Sequence, residues 1–531
     1  MAAQELNIER TLQDAIAHHG AGDNTAARGL AEQVLAAQSD NATALQILGI
    51  IAAEAGQHQA AYDALGRALA AAPTSAMVMF NLGEVCRAMD RLAEASTYYA
   101  DAARREPAFT AAHLAAGHAT LNLGGAPMEA VTHFRRALDQ APGDADAVSG
   151  LARAFEVAGG EAMAARRPAA AAEIFRDWLA LEPDHPVALI DLGHALRDQG
   201  QLDPAIEHYR RALARRRGSG AMINEALPTF HQTAAFKLRH DAEQFDHLAA
   251  AGRLPANLAG MAEAYRDIAD VLPPSDDRQR VFALTDAQRR RIGDAYNRFL
   301  VEGPGERLAG PAINPDLDRA TIEAAYAAPE DGGAEVTAID DLLTPDALAA
   351  LRRYCMETTF WFDFFHAGGY LGAYLDDGFD CPLLRQIVEE LPERLPGIFA
   401  DHRLRQMWAY KYASDLTGIP MHADEARVNL NFWLTPDDAN LDSGTGGLIV
   451  YPKEAPLEWN FETFNNDQDA IRAFIADARP LAVPHRQNRA VVFNSDYFHR
   501  TGDLHFKPGY ENRRINVTML FGWRDGREPG G

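Results

Sequence analysis

Cysteine is nearly missing from this chain: Cys86, Cys355 and Cys381 are the only three in 531 residues. Odd in number, scattered and without metal-ligand spacing, they exclude a disulfide framework and read as reduced thiols of a cytoplasmic protein. Long hydrophobic runs are missing too. No uninterrupted apolar stretch approaches bilayer length. The opening Met1-Ala2-Ala3-Gln4-Glu5 lacks the apolar core of a signal peptide. Positive charge is in deficit, because 50 Lys and Arg face 75 Asp and Glu, a formal charge of −25. Nucleic-acid affinity rests mainly on neutralising phosphates with Lys and Arg, so neither nucleic acid nor an anionic membrane surface is an expected partner. The local runs Arg215-Arg216-Arg217 and Arg289-Arg290-Arg291 read as solvated helix faces or ends.

What is present starts with a repeat. Gly49, Gly83 and Gly117 stand 34 residues apart, and Pro73 and Pro107 keep that step. Pro142 and Pro183 follow at 35 and 41. Between glycine and proline runs one pattern: Ala61, Leu65, Ala68; Ala95, Tyr99, Ala102; Ala130, Phe134, Ala137; and later Ala205, Tyr209, Ala212. Small residues let two antiparallel helices approach, the large one fills the gap, and proline ends the second helix. These spacings closely resemble the tetratricopeptide repeat. Five or six units are expected over residues 1–219, with an inserted or irregular stretch near Gly159 to Pro168 disturbing the fifth. The resemblance implies a concave surface for a protein or peptide partner; self-association into a homo-oligomer stays open.

Residues 220–334 keep helical periodicity without the repeat and read as a helical bridge and linker, with Gly/Pro-rich stretches at 303–315 and 329–333. A further domain is expected over 335–531. Val336 to Ile339 reads as a strand. Thr344-Pro345 opens a helix, with a capping hydroxyl before proline at the first turn. From Arg405 onward the period becomes strand-like. Trp408, Tyr410 and Tyr412 fall on one face, and further strands are expected at 428–434, 447–451, 489–494 and 514–521. The fold class expected is multidomain α + β: an α-helical repeat solenoid, a helical linker, and a C-terminal double-stranded β-helix, or jelly roll.

Chemistry concentrates in this last part. On a strand, His422 and Asp424 point the same way, and His499 follows the strand that ends near Asn494. Two imidazoles and one carboxylate form a face that leaves open positions on a non-haem Fe(II). His505 is the weaker rival for the second imidazole, and His485 is expected at the surface. Arg514 begins an apolar strand, where a buried cation needs an anion; its planar fork suits a carboxylate. Asn516 and Thr518 share its face, and Arg513 takes the opposite one.

This ordered set, Tyr412, Gly418, His422-x-Asp424, Phe493 to His499 and Arg514-x-Asn516-x-Thr518, resembles the 2-oxoglutarate- and Fe(II)-dependent dioxygenases, in the prolyl-hydroxylase-like layout. The resemblance implies that His422, Asp424 and His499 bind Fe(II), and that Arg514 pairs with the distal carboxylate of 2-oxoglutarate. Tyr412 is the candidate donor to that carboxylate, with Tyr410 competing; Asn516 and Thr518 line the same site. It implies an enzyme that consumes O2 and 2-oxoglutarate, releases succinate and carbon dioxide, and hydroxylates a C–H bond. Asp424 favours hydroxylation over halogenation. Joined to the repeats, this suggests a protein or peptide hydroxylase. An oxygenase of a small metabolite, with repeats for assembly, and a non-catalytic scaffold with a relict β-domain are the alternatives. The aromatic run Phe360 to His366 lines a cavity mouth or fills core, and Trp459 to Asp467 is a candidate lid.

Overall fold

The computed structural model describes residues 7–218, 227–273, 281–327, 334–365, 369–412 and 418–526. His366, Gly368, the 329–333 stretch and Leu416-Thr417 lie outside them. Two compact units divide the chain, Met1–Ala165 and Arg166–Gly531.

The first unit holds nine helices among its described residues: α1 Ile8–Gly20, α2 Asn24–Ala37, α3 Ala42–Glu54, α4 His58–Ala71, α5 Ala76–Ala88, α6 Leu92–Arg105, α7 Thr110–Asn122, α8 Pro127–Gln140 and α9 Ala145–Ala164. Asn7, Asp23, Asn41, Ser75 and Asp144 cap helix starts by accepting a backbone N–H from the first turn. The repeat glycines serve close packing. A Cβ at Gly83 would fall 2.5 Å from the Tyr99 ring. Ala61, Leu65 and Ala68, and their equivalents Ala95, Tyr99 and Ala102, are buried as the periodicity requires. The expected irregular stretch near Gly159 is instead a longer helix: α9 runs 20 residues, and Gly159 and Gly160 are helical within it. Two helical glycines disguise a segment whose Ala147, Leu151, Ala154, Phe155 and Ala158 still keep the 3.6 period.

The second unit opens with three more repeat helices, α10 Pro168–Leu181, α11 Pro186–Asp198 and α12 Leu202–Arg217. Gly193 on α11 meets Tyr209 on α12 so closely that a Cβ would lie 2.3 Å from the ring. Ion pairs with residues of the β-domain tie these helices down. Arg217 donates to both oxygens of Asp377, at 2.8 and 2.6 Å. Arg405 Nη1 reaches Asp198 Oδ2 at 2.6 Å, and His194 Nε2 lies 3.2 Å from Asp376 Oδ2. The expectation of a solvated Arg215–Arg217 run therefore fails at Arg217, which is buried against its carboxylate. Helices α13 Ala235–Ala250 and α14 Met261–Val271 then build a core of their own around Leu238, Phe245, Tyr265 and Ile268.

Thr344 caps α15 Pro345–Glu357, as expected, and α16 Pro382–Arg394 follows. The strands are β1 Val336–Ile339, β2 Tyr370–Tyr374, β3 Leu404–Tyr412, β4 Val428–Trp433, β5 Leu448–Glu454, β6 Leu481–Val483, β7 Ala490–Asn494, β8 Tyr497–Thr501 and β9 Arg514–Phe521. They form a six-stranded antiparallel sheet in the order β1-β7-β4-β9-β3-β2 and a three-stranded sheet β8-β5-β6. Trp433 and Phe493 of the larger sheet pack with Leu448 and Val450 of the smaller. The insert after β5 carries two short helices, α17 Phe461–Asn465 and α18 Gln468–Phe474. Phe360, Trp361, Phe362 and Phe364 are buried core. Among the described residues no helix is long and apolar enough to cross a membrane.

Candidate metal centre and its cavities

The chain brings His422 and His499 together by backbone pairing. The two residues exchange N–H···O bonds at 3.0 and 2.8 Å in an isolated antiparallel bridge, which sets their rings on one side with centroids 4.3 Å apart. His422 is thus held by this bridge and a turn, not by the strand expected for residues 422–424. Its neighbour Asp424 is fixed separately, its N–H donating to the Ser495 carbonyl. Ligand atoms of His422, Asp424 and His499 all lie within 4.8 Å of one another. His505 is exposed and outside this group. His485, expected at the surface, is 5% exposed and packs against Trp433 and Phe506.

Outer contacts orient all three side chains. His422 Nδ1 lies 2.9 Å from the Pro420 carbonyl, and His499 Nδ1 lies 3.0 Å from that of Tyr497. With each Nδ1 carrying the proton, both Nε2 lone pairs turn toward Asp424, 3.8 and 3.4 Å from its oxygens. Asn429 Nδ2 donates to Asp424 Oδ2 at 2.8 Å. Burial and the neighbouring His499 ring hold His422 down at about 4, against the pull of Asp424. Burial alone would raise Asp424, yet the polar groups around it, the His499 and His422 rings and the Asn429 amide, keep the carboxyl below the ordinary range. The centre is therefore an ionised carboxylate beside a neutral His422. Two nitrogens and one oxygen, oriented from behind and converging from one side, fit a facial metal site with open positions.

Beside it lies a narrow cavity of about 20 Å³ between the sheets, lined by Trp408, Tyr410, Tyr412, Asn431, Thr501, Arg514, Asn516 and Thr518 among others. Register explains the lining: Tyr412, Tyr410 and Trp408 stand directly across from Arg514, Asn516 and Thr518. Arg514 is 2% exposed. It donates to the Gly446 carbonyl at 2.6 Å and to Asn516 Oδ1 at 3.0 Å, and no carboxylate among the described residues pairs with it. Its guanidinium sits 4.9 Å from the Tyr412 ring centroid, and the buried Tyr412 hydroxyl, close to Thr501 and Arg514, makes no hydrogen bond of good geometry among the described residues. Burial lowers Arg514 from the usual arginine range, with Tyr412 opposing. A buried cation without a counter-ion is costly and suits an anionic ligand. Arg513 faces the other way and pairs with Glu243 at 2.8 Å. Tyr410 instead meets the Tyr374 hydroxyl at 3.3 Å.

Comparison with known proteins bears on the helical part. Tetratricopeptide-repeat family models match residues 12–76 and 162–226. The N-terminal region carries tetratricopeptide repeats. Among curated proteins no relative matches this chain. Similar solved structures include MamA, 19% identical, covering 33% of this chain and 91% of that one with a TM-score of 0.25. YrrB, described as a TPR protein with an unusual peptide-binding site, is 23% identical over 34% of this chain and 88% of its own, with a TM-score of 0.27. For pilF of Pseudomonas aeruginosa the values are 16%, 39% and 90%, with a TM-score of 0.26.

An outer cavity of about 620 Å³, open to solvent, continues from His422 and Asp424. Tyr370, Tyr374, Trp408 and Tyr410 wall one side, and Phe461, Asn465 and Asn466 of the insert another. His194 and Arg197, from repeat helix α11, complete the wall. Asn429, Thr501, the Gly446 carbonyl and these two α11 residues were not singled out in the sequence. Asn429 left a legible sign, since it alternates with Asn431 on a strand whose other face is apolar.

Proposed function

We propose that this chain is an Fe(II)- and 2-oxoglutarate-dependent dioxygenase that hydroxylates a side chain of a polypeptide held by its tetratricopeptide repeats. One observation carries the reading: three oriented ligand atoms share a cavity with a buried, uncompensated guanidinium. Metal and distal carboxylate are the two attachments that 2-oxoglutarate requires. Two antiparallel sheets with the centre between them suit a double-stranded β-helix.

In this reading His422, Asp424 and His499 hold the ion, and Asn429 orients the carboxylate ligand. Arg514 receives the distal carboxylate of 2-oxoglutarate with the Tyr412 hydroxyl beside it. Asn516 fixes the guanidinium, and its amide continues to Thr518 at 3.3 Å. Trp408 and Tyr410, which line both cavities, screen the reacting carbon from water. Iron, when bound, supplies the oxygen chemistry that couples 2-oxoglutarate decarboxylation to C–H oxidation.

The choice of polypeptide over free metabolite rests on the outer cavity. Its wall includes a repeat helix, and such repeats commonly bind peptides or proteins. The test is 2-oxoglutarate turnover by the full chain with Fe(II) and O2, with and without a peptide library. The reading requires succinate formation that depends on iron and oxygen, and a peptide that gains one oxygen atom. A folded, iron-loaded chain that never consumes 2-oxoglutarate overturns it.

A further inference from the structure

A third cavity, of about 320 Å³, lies within the second unit and shares no lining residue with the two at the metal centre. Its walls are largely apolar: Ile206 and Leu213 of α12, Phe299 and Leu375. Volume and lining match a site for one small molecule. Two polar groups at this cavity lack satisfactory partners. The Tyr209 hydroxyl, on a ring 2% exposed, has no hydrogen-bond partner among the described residues. Asp380 is 5% exposed, and neither of its oxygens accepts a hydrogen bond of good geometry among them. Arg210 Nη2 and Arg385 Nε approach that carboxylate only to 3.2 and 3.5 Å. Buried polar atoms are nearly always satisfied by protein, water or ligand.

Charge around the carboxylate decides the class of ligand. Arg210 and Arg385 contribute +2, and Asp380, Glu302 and Asp203, which pair with them, contribute −3, leaving −1. An anionic head would meet an excess of carboxylates, and a neutral one would leave the excess standing. A protonated amine brings the missing charge, and its N–H groups suit the two acceptor oxygens and the hydroxyl.

We propose that this cavity is a binding site for a small organic amine, with the ammonium at Asp380 and Tyr209 and the apolar body against Leu213, Phe299 and Leu375. The site stands apart from the metal centre, so it does not depend on the activity assigned there. It adjoins the segment that follows β2, whose neighbours Asp376 and Asp377 anchor α11 and α12.

Calorimetric titration of the full chain with phenethylamine, phenethyl alcohol and hydrocinnamate tests it, since the three differ mainly in head group. The amine is expected to bind at one saturable site, with the alcohol and the carboxylate weaker by about tenfold or more. Ala214→Trp, at the exposed rim, fills the cavity and should abolish binding. Tyr209→Phe should weaken it severalfold, and Arg514→Ala should leave it intact. Absence of amine binding, equal binding of all three probes, or amine binding that survives Ala214→Trp would each overturn the proposal.

Discussion

His422 and His499 clasp each other through their own backbones, each N–H donating to the other's carbonyl at 3.0 and 2.8 Å. Ligand geometry is thereby set by main-chain bonds before any ion arrives, and Asn429 adds the last constraint by holding Asp424 at 2.8 Å. Loss of such an outer contact typically costs about 10- to 100-fold in metal affinity. Asn429→Ala is therefore expected to weaken Fe(II) or Co(II) binding by about that factor, measured by competition with a chelating dye. Loss of any ligand itself, as in Asp424→Ala, should abolish binding at the same concentrations.

Arg514 makes the second demand. With a buried guanidinium facing carbonyls, an amide and two aromatic rings, a dicarboxylate should stabilise the chain. Metal-free protein is expected to melt at higher temperature with 2-oxoglutarate or succinate, and Arg514→Ala should not respond. Because a lysine cannot reproduce the planar fork, Arg514→Lys should weaken 2-oxoglutarate binding by about 100-fold or more. Equal responses of the wild type and both variants in calorimetry would contradict this role.

Parts of this arrangement were legible in the sequence. Alternation alone sets Trp408, Tyr410 and Tyr412 on one face and Arg514, Asn516 and Thr518 on another, and pairing then puts the faces side by side. A two-residue period survives any tertiary context, so these faces could be read. Burial that depends on distant partners could not. His485 is covered by Trp433 and Phe506 from other parts of the chain, and Arg217 is buried because Asp377 lies 160 residues away in sequence. Nothing local distinguishes His194 and Arg197 from other repeat positions; only packing sets them at the cavity wall.

His485 carries a prediction in pH. Burial first, then Arg514 and Arg489, hold it down at about 3, whereas an unfolded histidine titrates near 6.5. The unfolded chain therefore takes up a proton that the folded chain refuses. Stability from this residue is complete above pH 6.5 and declines as pH falls from there toward 3. Between pH 7 and 5 the loss amounts to roughly 2 kcal/mol. Urea midpoints for His485→Phe, which also removes two unsatisfied nitrogens, should fall less over that range than those of the wild type.

Truncation separates the repeats by their anchoring. Helices α10 to α12 belong to the compact unit Arg166–Gly531. Deleting residues 1–165 should therefore leave metal and 2-oxoglutarate binding intact. Deleting 1–219 strands Asp376, Asp377 and Arg405 without His194, Arg217 and Asp198, and should lower the melting temperature and weaken both ligands. Indistinguishable melting of the two truncations would show that these ion pairs do not secure the β-domain.

The most direct test is an anaerobic titration of the purified chain, first with Fe(II) and then with 2-oxoglutarate, followed by visible absorption. The account predicts a weak charge-transfer band that needs both components, is absent from His422→Ala and demands far more 2-oxoglutarate in Arg514→Ala. A folded wild-type chain that takes up no iron, or a band that persists in His422→Ala, would contradict it.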